Sequence, residues 1–391
     1  MLSTPSAADR RVGSLTRTSD LGTSLGLAVG DADAAFRTEA TIQRVETAET
    51  TAERQRRLAD AFDRIDRAEA SLERRQAAAI TAHAAGEMTD RELLDELVRI
   101  AAVAEARDRH LGRLGDLADE TDGFSSPDFV AELRLRLQAY RGPVRTVAAE
   151  ALRGGDAGAE IRVESSPNAL VLATIHDGQY VRESVRHDRW DRDGEPISSE
   201  AAIDVTSASY PETTALREPN AFGAGSIQRV TVPHEFGELR TFVSGGTERV
   251  FVEHQRVDLA SFPDVDPVST TEDGFAVTVN RTYPGGPITV TVVDEETGAP
   301  IPGITVTRSV GDDGSEAIGD TDETGVVRTL SPDQPYRITV VDEPRVAVID
   351  EIQPTPTPRL ADDADESDAN TTAVNADAQP ETTDFPPATA R

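Results

Sequence analysis

Apolar positions along this chain change their period twice, and each change predicts a different architecture. From Phe36 to Arg153 they recur at helical spacing. Leu58, Phe62, Ile65 and Leu72 lie four, three and seven apart, and Leu93, Leu97, Ile100, Ala104, Arg107, Leu111, Leu114 and Ala118 alternate fours and threes. Gly86-Glu87-Met88 breaks the run, and Thr89 with Glu92 forms a capping box that restarts it. Two long helices joined by a short turn predict an antiparallel hairpin, expected to be the most independent unit of the chain. Acid-to-arginine pairs four apart support its exposed faces, Glu53–Arg57, Asp60–Arg64, Asp63–Arg67, Asp95–Arg99 and Glu105–Arg109. A third helix is expected from Ser126-Pro127, with Val130, Leu133, Leu137 and Tyr140 inward, and a fourth between Gly142-Pro143 and Gly154-Gly155.

From Ala159 the period becomes two. Ile161 and Val163 alternate, and Leu170–Ile175 and Tyr180–Val185 flank Asp177-Gly178, a two-residue hairpin signal. Further strands are expected over Ile227–Val232, Leu239–Val243 and Arg249–Val257, with one helix over Ser199–Tyr210. This predicts an α+β domain with a mostly antiparallel sheet. Strands resume at Phe275, where Ile288–Val293, Ile304–Val310, Val326–Leu330 and Tyr336–Val341 are short, β-branched and separated by Gly/Pro/Asp turns, the pattern of a small β-sandwich. The expected fold is therefore multi-domain α+β. Residues 1–35 read as a disordered leader or weak export signal, 36–155 as a helical hairpin or bundle, and 156–265 as the α+β domain. Residues 270–345 read as the sandwich and 346–391 as a disordered Pro/Thr/Asp-rich tail.

Charge sharpens the picture of the environment. The chain carries 71 acidic and 39 basic residues, a net charge of -32, and every basic residue is arginine. Between Phe36 and Arg153 there are 23 acids and 19 arginines, so the surplus acidity sits elsewhere. Such an excess self-repels in dilute buffer and becomes tolerable where salt shortens the Debye length to about 3 Å at 1 M. The composition resembles that of haloarchaeal proteins. It argues against nucleic acid and anionic membrane surfaces as partners. With no cysteine, disulfides, thiol catalysis and thiolate metal sites are excluded. No apolar run reaches the ~18 residues of a membrane span. Arg10-Arg11 before the weakly apolar Leu21–Val29, ending in Ala28-Val29-Gly30, is similar to a poor twin-arginine export signal.

Two family resemblances follow from particular motifs. Ile288–Asp294, then Thr297-Gly298-Ala299-Pro300-Ile301-Pro302-Gly303, Thr321-Asp322-Glu323-Thr324-Gly325 and Pro332–Val340 follow the order of motifs in the carboxypeptidase-regulatory-like (transthyretin-like) sandwich. That resemblance implies a non-catalytic spacer or adhesion unit. Gly142-Pro143-Val144-Arg145 with Ala151-Leu152, and Val171–Ile175 with Asp177-Gly178-Gln179-Tyr180-Val181-Arg182-Glu183, resemble a haloarchaeal family of predicted exported proteins of unknown function. The resemblance implies an exported chain and assigns no functional residue.

The candidates for chemistry are few. His176, His187, His234 and His254 each stand beside an acid, and imidazole with carboxylate is a ligand set for zinc. His234 and His254 flank an expected hairpin and are the pair best placed to meet. There is no i, i+4 histidine pair and no HExxH spacing, so solvated turn and strand-end positions account for them, and no metal ligand, catalytic residue or cofactor is assigned. Asp320–Gly325 opens like a calcium loop, but position twelve is Ser331 rather than glutamate, which leaves a turn between strands. Asp312-Asp313-Gly314 and Asp264-Val265-Asp266 read as loops. Arg107 is expected to snorkel at the helix seam and Trp190 to pack over a hairpin. Asn280-Arg281-Thr282 and Asn370-Thr371-Thr372 are glycosylation sequons. No Walker loop, GxSxG elbow or dinucleotide fingerprint occurs.

The leading expectation is a non-enzymatic cell-surface or extracellular protein of a halophilic archaeon, in contact with other surface proteins. A metal-binding protein or metal-dependent enzyme using the β-region histidines, and an intracellular coiled-coil scaffold, are the alternatives. The charge generates a direct test. In ~0.1 M salt the near-UV circular dichroism of the β regions is expected to collapse and molar salt to restore it; a melting temperature indifferent to salt contradicts this.

Overall fold

The computed structural model describes residues 1–2, 10–16, 20–155, 158, 160–261, 266–311, 314–358 and 360. Among them are seven α-helices, an eight-stranded sheet and two four-stranded sheets, with every strand pair antiparallel. The long helices are α1 (Leu21–Glu46), α2 (Thr51–Ala84) and α3 (Asp90–Asp119), followed by α4 (Phe129–Ala139) and α5 (Pro143–Leu152). The capping box at Thr89 and Glu92 is present, because its two reciprocal bonds satisfy backbone donors that the first turn of α3 leaves open. Pro143 occupies the first turn of α5, where its missing N–H costs nothing. Leu58, Phe62, Ile65 and Leu72 bury with Ile100, Ala104, Leu111 and Leu114 in one cluster, so the seam read from spacing is the buried stripe.

The eight-stranded sheet runs β1-β2-β3-β4-β8-β7-β6-β5. Its strands are β1 (Arg11–Thr16), β2 (Glu160–Ser166), β3 (Ala169–His176), β4 (Gln179–Arg186), β5 (Asn220–Ala224), β6 (Ile227–His234), β7 (Gly237–Ser244) and β8 (Arg249–Asp258). Asp177 and Gly178 turn β3 into β4 with φ of 49° and 73°, the left-handed pair that a two-residue hairpin needs. Helices α6 (Ser199–Ser209) and α7 (Pro211–Leu216) lie between β4 and β5.

Two expectations are corrected here. The segment 1–35 is not a disordered leader throughout: Arg11–Thr16 pairs with β2 from Arg11↔Ser165 to Thr16↔Glu160, and Leu21 onward is helical, capped by the Asp20 side chain on Thr23 N–H. Nor is the hairpin an independent unit, since Ala79, Ile80, Leu93, Leu94, Leu97 and Val98 share one buried cluster with Ile161, Leu170, Val181, Phe242 and Val252. The physical reason is the sheet. Strands β2, β3 and β4 are buried on both faces, so one face has to be covered by the helices, and helices and sheet condense around one core.

The C-terminal unit is a small β-sandwich. One sheet runs β14-β11-β10-β9 and the other β13-β12-β15-β16. They comprise β9 (Pro267–Glu272), β10 (Phe275–Asn280), β11 (Pro287–Asp294), β12 (Thr305–Val310), β13 (Glu316–Asp320), β14 (Val326–Leu330), β15 (Tyr336–Asp342) and β16 (Arg345–Ile352). Alternate residues Phe275, Val277, Val279 and Ile288, Val290, Val292 fill its core. The resemblance motifs are turn chemistry. Asp294 Oδ1 accepts from Thr297 N–H at 2.9 Å, and Asp322 Oδ1 accepts from Thr324 N–H at 2.8 Å and Val326 N–H at 3.0 Å. β16 occupies residues that were expected to begin the disordered tail; the expectation for 361–391, including the sequon at Asn370, lies outside the described residues, as do Asp264, Val265, Asp312 and Asp313.

Leu97 and Leu114 are fully buried, one beside the sheet and one within the helical layer. Either leucine changed to alanine is expected to lower unfolding free energy in denaturant titrations by about 2–5 kcal/mol, the range for a truncated core leucine. A change no larger than that of a surface substitution contradicts the buried stripe read from spacing, and at Leu97 the shared core as well.

Candidate functional site

The most concentrated chemistry lies where α5 meets the helix-facing side of the sheet. On β4, Glu183 alternates with Val181 and Val185, which both enter the helix-facing core, so period two carries its carboxylate to that side. Arg145 Nε donates to Glu183 Oε1 at 2.7 Å, with both side chains 1% exposed. Glu183 Oε2 accepts from the backbone N–H groups of Val144 at 3.1 Å and Arg145 at 3.4 Å, so it also caps the N-terminus of α5 from another element. Arg145 Nη1 donates to Gln76 Oε1 at 2.6 Å and to the Tyr140 carbonyl at 3.0 Å. Gly142 is required because a Cβ there would collide with the Glu183 carboxylate. The two motifs of the exported-protein resemblance, "GPVR" and "YVRE", are the two sides of this one joint.

Two further buried carboxylates repeat the arrangement. On the opposite face of the sheet Glu253, fully buried, pairs with Arg182, whose Nη2 donates to the Leu2 carbonyl at 2.6 Å, and accepts from Leu2 N–H at 2.6 Å and Tyr210 O–H at 2.5 Å. Burial disfavours the Arg182 cation, and the Glu253 charge outweighs that and raises its pKa. Among the helices, buried Glu69 accepts from Tyr140 O–H at 2.8 Å and pairs with Arg192. Burial, and then the Glu69 charge, pushes the Tyr140 phenol well up.

The sandwich is attached through the same kind of contact. Arg162 grips Asp333 by two bonds of 2.7 Å each, Tyr180 O–H donates to the Gly285 carbonyl at 3.0 Å, and Thr329 O–H donates to Glu160 at 3.1 Å. A cleft of about 520 Å³ opens at this junction, lined by Arg10, Arg162, Arg308, Glu160 and Asp333. Its cations already face acids, Arg10 on Glu164 at 2.9 Å and Arg308 on Glu160 at 3.3 Å. Paired in this way, they are not arranged as a base beside a nucleophile.

The histidines do not converge. His234 lies opposite Gly237, which lies opposite Val257, three residues along β8 from His254. His254 is buried edge-on to Phe242, ring centroids 5.7 Å apart, while His234 is at the hairpin beside Phe236. His176 Nε2 stands 3.4 Å from Asp177 and 3.7 Å from Glu150, and His187 Nε2 lies 3.3 Å from Gln76 Nε2. Among the described residues no group of three or more His, Asp or Glu side chains is arranged to hold a metal ion. His83, which spacing did not single out, is fully buried between Ser165 and Asp90 at 2.7 Å each. Trp190 stacks on Phe251 at 5.0 Å between the sheet and the helices, a packing role, and Arg107 donates to the Ala68 carbonyl at 2.8 Å.

Two tests follow from the joint and its neighbours. Arg145→Met leaves Glu183 buried without its cation and is expected to cost about 3–5 kcal/mol in denaturant unfolding; a loss below ~1 kcal/mol contradicts the assignment. Burial, reinforced by the Arg145 cation, holds the His187 pKa down to about 4, and the same two causes hold His254 well below its ordinary value. The unfolded chain takes those protons near pH ~6.5, so their contribution is whole above that pH and lost as pH falls towards about 4. The unfolding midpoint at constant salt is expected to fall from about pH 7 to about pH 5, less steeply in His187→Gln. An equal slope in the variant contradicts this.

Comparison with known families matches these regions one by one. Residues 1–157 match a domain of unknown function (DUF7096) and residues 161–263 a family of unknown function (DUF7094). Residues 266–349 match an archaeal fibronectin-III type-like domain, a different sandwich family from the carboxypeptidase-regulatory-like one that its turns resemble. No curated protein and no solved structure matches the chain. It is thus similar to two families whose function is unknown, followed by an archaeal β-sandwich module.

Proposed function

We propose that the chain is a non-enzymatic structural and interaction protein of the surface or exterior of a halophilic archaeal cell. The observation that carries this reading is how the buried ionisable groups are used. Buried Glu183, Glu253 and Glu69 each meet an arginine from another element, and these networks fasten helices to sheet, sheet to Leu2 and helix to loop, while exposed Asp333 fastens the sandwich to buried Arg162. A catalytic acid or base is poised beside an open cleft with a perturbed pKa. Here His254, whose pKa burial pushes well down, is enclosed in the core. A fibronectin-III type-like module behind the α+β part suits a spacer or adhesion role, and the arginine-only basic side chains with net charge -32 suit brine. No helix among the described residues is long and apolar enough to cross a membrane.

Fractionation of cells grown in molar salt, with sequencing of the mature N-terminus and protease treatment of intact cells, tests the proposal. The chain is expected in the surface or medium fraction and cleavable from outside. Recovery from the cell interior alone overturns it, as does about one zinc per chain that vanishes in His234→Ala/His254→Ala.

A further inference from the structure

Five large apolar side chains stand exposed among the described residues, and three of them are on α1: Leu25 at 62%, Val29 at 61% and Phe36 at 74%. They are not scattered. Gly22, Leu25, Val29, Ala32 and Phe36 follow one another at three, four, three and four residues, the spacing that keeps a single seam facing a partner helix. The rest of the helix is already committed. Leu27, Ile42 and Val45 bury in the two cores, and Asp31 reaches Arg153 at 3.6 Å, so the exposed seam is a second face of a helix docked by its first. Among the described residues the space at Gly26 and Gly30 is open: a Cβ built on either meets no atom within 4 Å, although glycine is disfavoured in a helix interior.

We infer that this seam is an interface with a second copy of the chain. Charge selects that occupant. In a chain of net charge -32, most faces would repel their own copy, but the ten residues Leu21–Gly30 carry no charge and only Asp31 and Asp33 follow before Phe36. The seam is also self-complementary. Two copies related by a two-fold axis passing between Val29 and Ala32 run antiparallel, setting Leu25 of one against Phe36 of the other and Val29 against the small Ala32. Asp33 of one copy then falls beside Ala28 of the other rather than beside an acid. The three large side chains expose on the order of 400 Å² per copy, comparable with the largest apolar patch of a typical monomer, which is often functional. That is about half of the ~800 Å² per partner of a standard interface, which places the association in a weak, concentration-dependent range. Salts that strengthen apolar burial reinforce it.

Sedimentation velocity on the full chain in molar KCl, diluted from about 100 µM, reads the association directly. The expected result is a reversible dimer that Val29→Asp/Phe36→Glu weakens at least tenfold. Leu216→Glu, at an exposed apolar position on α7, is expected to leave it unchanged. Both changes lie on exposed positions, and unaltered far-UV circular dichroism confirms that the variants fold. Because the chain has no cysteine, Leu25→Cys/Phe36→Cys provides a second reading: oxidation is expected to yield covalent dimer. A wild-type chain that stays monomeric, or a dimer that the paired change does not move, overturns the inference. So does a monomer that instead binds neutral phosphatidylcholine vesicles through Val29 and Phe36.

Discussion

Glu183 is a carboxylate held away from water between a sheet and a helical layer, and the placing of those two layers depends on how it is satisfied. An isolated buried charge costs several kcal/mol, and its attraction to a partner repays that only when every lone pair is met. Arg145 Nε supplies one donor and the free N–H groups of Val144 and Arg145 supply two more, with the positive end of the α5 dipole behind them. Three sequence features have to coincide for this. Gly142 leaves room, Pro143 starts the helix without an orphan N–H to satisfy, and Arg145 turns back to its own helix start. Gln76 from α2 and the Tyr140 carbonyl complete the guanidinium, so α2, the end of α4, α5 and β4 share one network. An apolar interface would hold the layers together in many registers; this network is satisfied in one.

The same logic explains why the basic residues are arginines. A guanidinium offers five donors in a plane and can serve two or three acceptors at once, whereas a lysine ammonium is a strongly hydrated point charge. Arg162 on Asp333, Arg182 on Glu253 and the Leu2 carbonyl, and Arg145 on Glu183, Gln76 and Tyr140 all use that geometry. Structural demand thus places six buried arginines, Arg145, Arg162, Arg182, Arg186, Arg189 and Arg308, in the interior and at the junctions. The acids left over lie on the outside, where dissolved salt screens them.

Helices α2 and α3, the capping box, the Asp177-Gly178 hairpin and the sandwich strands β10, β11, β12, β14 and β15 were legible in the sequence because local periodicity and turn chemistry fix them. β1 was not, since Arg11–Thr16 is short and mostly polar, and is a strand only because β2 offers it an unpaired edge. The start of α1 was hidden by its glycines, β5 and β13 by their scarcity of β-branched residues, and the joining of helices and sheet by the fact that period alone says nothing of what covers a face. The buried joint was invisible for a different reason. Glu183 and Arg145 are ordinary in a chain full of acids and arginines, and only a contact across 38 positions distinguishes them. The one available signal was the pair of motifs containing them, which had a family likeness but no chemistry. The histidines misdirect in the opposite sense, because neighbouring acids are frequent here by composition.

Native-state hydrogen exchange in molar salt tests the shared core most directly. Amides in the middle of α2 and α3 and in β4 and β8 are expected to open with the same free energy, and Arg145→Met is expected to lower all of them together. Helical amides that keep their protection while those of β4 and β8 exchange, or that stay unchanged in the variant, would contradict a core that Glu183 and Arg145 hold in common.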